Sequence, residues 1–154
     1  MKKLIFILFL SFTIVNYSQE KIDAPPFLKL NFEKDFKGAT DTSWSKFYRG
    51  KYREQLRFEV EFLRGNSKYL VSYDNVGVIK AIQKSIAISS LNTSILEYLK
   101  NNYPTFEINE ASKITKENGD EFYNVGISGS DDFFILVFNT SGYFLYLTSL
   151  GERY

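Results

Sequence analysis

A chain of 154 residues with no histidine and no cysteine has few side chains on which to run chemistry. A histidine general base, a cysteine nucleophile and a zinc site built from either are excluded. A serine nucleophile would then need lysine as its base, and Ser43-Trp44-Ser45-Lys46 has the spacing but enters a strand instead of a catalytic turn. Asp131-Asp132 is an adjacent acidic pair with turn residues beside it. Calcium takes roughly six to eight oxygen ligands, and no acid-rich loop of that spacing exists here, so the pair reads as a solvated hairpin turn. Two Asn-x-Ser/Thr triplets, at Asn92 and Asn139, coincide with a helix cap and a turn. Lys46, Arg49, Lys51 and Arg53 cluster near Tyr48 and Tyr52, but Glu54, Glu59 and Glu61 follow closely, which suits a mixed-charge solvated edge. The expectation is therefore a non-enzymatic protein with no catalytic, cofactor-binding or metal-ligating residues.

Nineteen basic residues stand against 18 acidic ones with no like-charge block, so the clustered cationic face that nucleic acid demands is missing. The unusual count is aromatic: 15 Phe, 11 Tyr and one Trp, 18% of the chain, which predicts large ring contacts in a core, at an interface, or both. Residues 1–18 carry Lys2-Lys3, an apolar run from Leu4 to Val15, and then Asn16-Tyr17-Ser18, the pattern of a secretory leader cut after Ser18. The competing reading, a membrane anchor, needs about 20 apolar residues, and this run stops short. Without a cysteine after it, lipid anchoring is excluded. No membrane span is expected after cleavage, and residues 19–154 form one domain held by its core alone.

The elements that must position any functional side chain follow from periodicity. Phe27, Leu30, Phe32 and Phe36 recur at near-helical spacing between Pro26 and Gly38, a helix start and stop. From Trp44 the period becomes two: Leu56, Phe58, Val60 and Phe62 alternate with Gln55, Arg57, Glu59 and Glu61, a strand with one buried and one wet face. Strands over 68–73 and 78–88 follow, with turns at Gly65-Asn66 and Asp74-Asn75-Val76-Gly77. Asn92 or Thr93 then caps a helix through Ile95, Leu96, Tyr98 and Leu99 that stops before Pro104. Further strands are predicted over 108–116, 121–128, 133–138 and 143–150. Residues 69–77 align without a gap to 134–142, an offset of about 65, which exceeds common solenoid periods. The predicted class is α+β in two layers: two tandem repeats, about 25–88 and 91–150, each a helix on an antiparallel meander of about four strands.

The leader, the helix ending before Trp44, the strand Leu56 to Phe62, the Tyr73-Asp-Asn-Val-Gly77 turn, Leu99-Lys-Asn-Asn-Tyr103-Pro104 and the second meander together resemble the PepSY-like, β-lactamase-inhibitor-like proteins of the bacterial periplasm. The resemblance runs from about Phe27 to Leu150. It implies a helix on a four-stranded sheet in each repeat, a periplasmic or secreted Gram-negative location, no enzymatic activity, and a binding or inhibitory role. Family members often carry a second tryptophan, and its position here is about Ala111, so a function tied to paired tryptophans is not implied.

The two meanders differ in one informative way. If Tyr73 and Phe138 face the helices, Leu70 and Ser72 point away, and so do Phe133, Ile135 and Val137. An outward apolar patch of that kind marks an interaction surface; the alternative is a central strand buried on both faces. The expected contact residues are Phe133, Ile135 and Val137, joined by Phe122 and Leu70. The expected partner is a protein or peptide of the cell envelope, recognised through the sheet face. The alternative is a periplasmic small-molecule or lipid-binding protein, with its pocket between helices and sheet.

Overall fold

The computed structural model describes residues 20–50, 54–129 and 132–148. The expected leader (1–18), Lys51, Arg53, Asp131 and Leu150 lie outside the described residues. Along the chain come β1 (Glu20–Lys21), α1 (Pro26–Asp35), β2 (Thr40–Arg49), β3 (Gln55–Arg64), β4 (Ser67–Asp74), β5 (Ile79–Ser85), a 3-10 turn (Ile88–Ser90), α2 (Thr93–Asn102), β6 (Glu107–Lys116), β7 (Glu121–Gly129), β8 (Asp132–Asn139) and β9 (Phe144–Thr148). No helix among the described residues is long and apolar enough to cross a membrane.

Both helices begin and end where their sequences dictate. Pro26 opens α1, where its missing N–H has no helical partner to lose; Leu28 and Phe32 bury one stripe, and Gly38, at φ 81°, takes the left-handed conformation that turns the chain away. In α2 the Asn92 side chain accepts a 2.9 Å hydrogen bond from the Ile95 N–H, Ile95 and Leu99 are buried four residues apart, and Pro104 blocks continuation beyond Tyr103. Two matching turns close hairpins in the sheet. At Asp74 and Asn139 a side-chain oxygen accepts from the backbone N–H four residues on, at Val78 and Tyr143, and Gly77 and Gly142 supply φ of 89° and 87°.

The strands form one antiparallel sheet of nine, in chain order from β1 to β9. This overturns the expected pair of tandem helix-plus-meander repeats. β5 and β6 pair from Ala81↔Lys116 to Ser85↔Ser112, so the edge that would end one unit is hydrogen-bonded to the edge that would begin the next. Alternating apolar residues and turn signals announce strands, but they do not say where a sheet stops. An unpaired strand edge at the centre of the chain would leave backbone groups unsatisfied, and pairing β5 with β6 removes it. The strand expected over 78–88 also ends early, at Ser85, because the chain turns there into the 3-10 segment.

Directly opposed residues in an antiparallel pair point to the same side. Phe58↔Tyr73 and Val60↔Val71 in one half, and Ala111↔Val125 and Val125↔Leu136 in the other, therefore share the side on which both helices lie. Under α1 the rings of Phe32 and Phe62 meet edge-on at 4.9 Å and Trp44 stands 5.6 Å from Phe32. Under α2, Tyr98 packs at 5.5 Å from Phe138 and 5.1 Å from Phe144. Much of the aromatic surplus is thus core.

Tyr73 is wholly buried in this layer, and its hydroxyl has no hydrogen-bond partner among the described residues. Burial, with a smaller push from the charge of Asp35, drives its pKa well above the ordinary 10.0. Below about pH 10 the proton is bound whether the chain is folded or not; above it the unfolded chain releases the proton that the folded one retains, so stability falls as pH rises. Tyr73→Phe is expected to match or exceed native stability at neutral pH, having lost an orphaned hydroxyl. Its urea midpoints should decline less steeply than the native ones between about pH 9 and pH 11.

Candidate functional site

Helices cover one side of the sheet, and no described element covers the other. Its residues follow from the register: Glu59↔Ser72↔Ala81 across β3 to β5, Gln83↔Ile114↔Phe122 across β5 to β7, Asn124↔Val137↔Tyr146 and Gly126↔Ile135↔Thr148 across β7 to β9. Several of them are nonetheless dry. Glu59 is 2% exposed, Ser72 4%, Ala81 5%, and Ile114 and Val137 0%. No described element packs above them, so among the described residues it is neighbouring side chains of the same face that shield them. A cleft of about 150 Å³ opens on this face, lined by Glu61, Leu70, Gln83, Glu110 and Ser112 among others.

The open face divides in two. Across β3 to β5 it is polar: Lys68 and Glu61 form an ion pair at 2.8 Å, Gln83 donates to Ser112 at 3.0 Å, and Arg57 donates to Gln55 at 3.0 Å. Arg57 Nε and Ser72 Oγ are buried there with no hydrogen-bond partner among the described residues. Across β6 to β8 it is mixed, with the large apolar side chains Ile114, Phe122, Phe133 and Ile135 among polar Glu110, Ser112, Asn124 and Ser128. Lys116 holds its ammonium 4.5 Å from the centre of the Phe122 ring, Phe122 stands opposite buried Ile114, and Phe133 lies over Gly126. A Cβ on Gly126 would sit 2.6 Å from Glu110 Cγ and 3.0 Å from Phe133 Cζ.

Of the residues singled out from the sequence, the structure brings Phe133 and Ile135 together on the open face, each half-buried, while Phe122 shares that face but stands at the other end of the β7–β8 pair, six residues along β7 from Ser128, the partner of Phe133, or roughly 20 Å. Val137 points to the same side but is fully buried beside Asn124 and Tyr146, so it supports the patch from below. Leu70 stands four strands from Phe133, roughly 19 Å at ordinary strand spacing, and lines the cleft. The alternation expected to make Glu59 wet does not: it stands between Ser45 and Ser72 in the sheet and is 2% exposed. Alternation had placed Glu59 and Ser72 on this face but not their burial, and Ile114 and Lys116 were not anticipated; their place beside Phe122 and Gln83 follows from cross-strand register, for which a single strand carries no signal. No group of acids that would hold a metal occurs among the described residues.

The packing of Phe133 on Gly126 is open to test. Gly126→Ala is expected to destabilise the fold by about 1–3 kcal/mol through overpacking. Gly126→Ala combined with Phe133→Ala should cost less than the sum of the single changes, because removing the ring empties the space the new methyl needs. Urea unfolding of the four proteins measures this, and strict additivity would show that ring and glycine do not touch.

No family model matches the sequence, and no curated protein matches it. Solved structures do. A DUF2874 family protein from Bacteroides uniformis superposes with a TM-score of 0.69 at 12% identity, over 86% of this chain and 94% of that one. A proposed periplasmic protein from Bacteroides eggerthii gives 0.70 at 9% identity, over 82% and 89%. A BLIP-like protein from Bacteroides fragilis gives 0.62 at 12%, over 86% and 90%. At such identities the likeness is one of fold, and none of these structures is described as PepSY-like. The chain has a BLIP-like fold, that of the DUF2874 family structures.

Proposed function

We propose that this chain is an exported, non-enzymatic binding module of the periplasm that recognises a protein or peptide through the open face of its sheet. The observation that carries the proposal is the half-buried pair of Phe133 and Ile135 on a face that no described element covers, next to a polar cleft that Glu110 lines, with Phe122 farther along the same face. Aromatic and aliphatic anchors supply contact area, and the adjoining Lys68, Glu61 and Gln83 supply polar groups that fix a partner's orientation. A leader-like N-terminus and fold neighbours described as periplasmic and BLIP-like support the location and the mode of action. The alternative, a small molecule held between helices and sheet, finds the space beneath the helices filled: Leu28, Phe62, Tyr73, Ile95 and Phe138 occupy it at 0–1% exposure. What stays open is a surface groove of about 500 Å³ where α2 meets the β8–β9 turn, lined by Ser94, Tyr98, Asn101 and Phe144 among others.

The test is capture of envelope proteins by the exported chain alongside Phe133→Asp/Ile135→Asp. A partner enriched by the native protein is expected to bind the variant about 30-fold more weakly or worse, the equivalent of about 2 kcal/mol at a contact centre. A matching circular dichroism spectrum must show that the variant is folded. A folded variant that holds the same partner with native affinity would sink the proposal.

A further inference from the structure

The two edges of the sheet are built differently. β2 ends it on one side, and there β1 pairs across Ser45 and Lys46, a register shift interrupts Thr40 to Ser43, and Lys46 and Arg49 place charge on the strand. These are the devices that keep strand edges from joining other chains. β9 ends the other side with no charge and, among the described residues, no covering strand, although it is short and its pairing with β8 also shifts register once. Its sequence Phe-Leu-Tyr-Leu-Thr has no charge and no proline, and no described residue pairs with its outer side. Leu145, Tyr146 and Leu147 are each about 42–43% exposed. Its one irregularity lies where Val137 and Phe138 meet Tyr146 and Phe144, which leaves Tyr146 to Thr148 regularly paired to β8.

We infer that β9 is a self-association edge, on which a second copy of this chain docks by pairing its own β9 in antiparallel register. Three features select a second copy as the occupant. Head-to-tail pairing of β9 on another copy's β2 would build an open filament, but β1 occupies the outer side of β2 at Ser45 and Lys46. β9 against β9 is isologous and closes at two. A strand without charges also meets its own copy without placing like charges opposite one another, the usual penalty for self-pairing.

The geometry fixes how the copies are arranged. Antiparallel neighbours in a sheet are related by a two-fold axis perpendicular to it, so opposed residues share a side. Both open faces of the pair therefore look the same way, and their β6 to β8 halves lie next to the shared strands. A five-residue strand from each copy buries less than a standard stable interface, so the pair forms in a concentration-dependent way and gives two-site avidity toward a repeated or membrane-held target. Self-association is measured without any partner, so it stands or falls separately from the proposed function.

Sedimentation of the exported protein up to roughly 500 µM, where weak interfaces report themselves, is expected to show one chain passing to two and stopping there. Leu145→Lys/Leu147→Lys should raise the dissociation constant about tenfold or more by setting like charges across the junction. Mixing that variant with Leu145→Glu/Leu147→Glu should restore the two-chain species. Unchanged unfolding midpoints would show that these exposed substitutions leave the fold intact. A single-chain species at every concentration overturns the inference, as does growth beyond two copies or undiminished association of the lysine variant.

Discussion

The ladder between β5 and β6, from Ala81↔Lys116 to Ser85↔Ser112, governs the rest of the molecule. It is extended by hydrogen bonds from the Ile86 N–H to the Ala111 carbonyl at 3.0 Å and from the Glu117 N–H to the Lys80 carbonyl at 3.0 Å, and by the Lys80–Glu117 ion pair. A backbone hydrogen bond adds only about 1 kcal/mol net, but leaving its donor or acceptor buried and unmade costs more. The ladder therefore acts less by its own strength than by forbidding a break at mid-chain. Once it forms, register carries the orientation of Val60 and Val71 through to Val125 and Leu136, and both helices must cover the same side.

That one-sidedness leaves the other face to solve its own burial problem. Ile114 and Val137 at its centre are as dry as the core beneath the helices. Glu59 and Ser72 are dry as well, and Ser72 Oγ and Arg57 Nε have no hydrogen-bond partner among the described residues. Buried polar groups occur on both halves, Ser72 on one and Ser112 and Asn124 on the other, but the large half-buried apolar side chains Phe122, Phe133 and Ile135 belong to the β6 to β8 half. A face so divided presents contact area at one end and hydrogen-bonding demand at the other, the anatomy of a recognition surface.

Local structure was largely legible in the sequence. The Pro26 start, the Gly38 stop, the Asn92 cap and the Pro104 stop each act through a backbone requirement confined to a few residues. The alternation in Leu56 to Phe62 revealed a strand and its helix-facing side for the same reason. So did the inference that Phe133 and Ile135 point opposite to Phe138, because side-chain direction needs only period two. What was not legible depends on more than one strand. The continuity of the sheet and the separation of Leu70 from Phe133 follow from register, and the dryness of Glu59 and Val137 depends on the neighbours that register sets beside them. The likeness of residues 69–77 to 134–142 is real in the two hairpin turns, yet it suggested separate repeats where one sheet forms.

A surface that binds through shape has to hold that shape still. Gly126 shows how this fold does so. With no Cβ there, the Phe133 ring settles against the strand, and Glu110 closes the other side of the same gap. An aromatic side chain seated in this way has surrendered much of its rotameric freedom before any partner arrives, so that entropy is not charged against binding. Lys116 holds Phe122 similarly, from above the ring. The anchors are thus prepared by their neighbours in the sheet, which is why a backbone position as plain as Gly126 belongs to the site as much as the rings that would touch a partner.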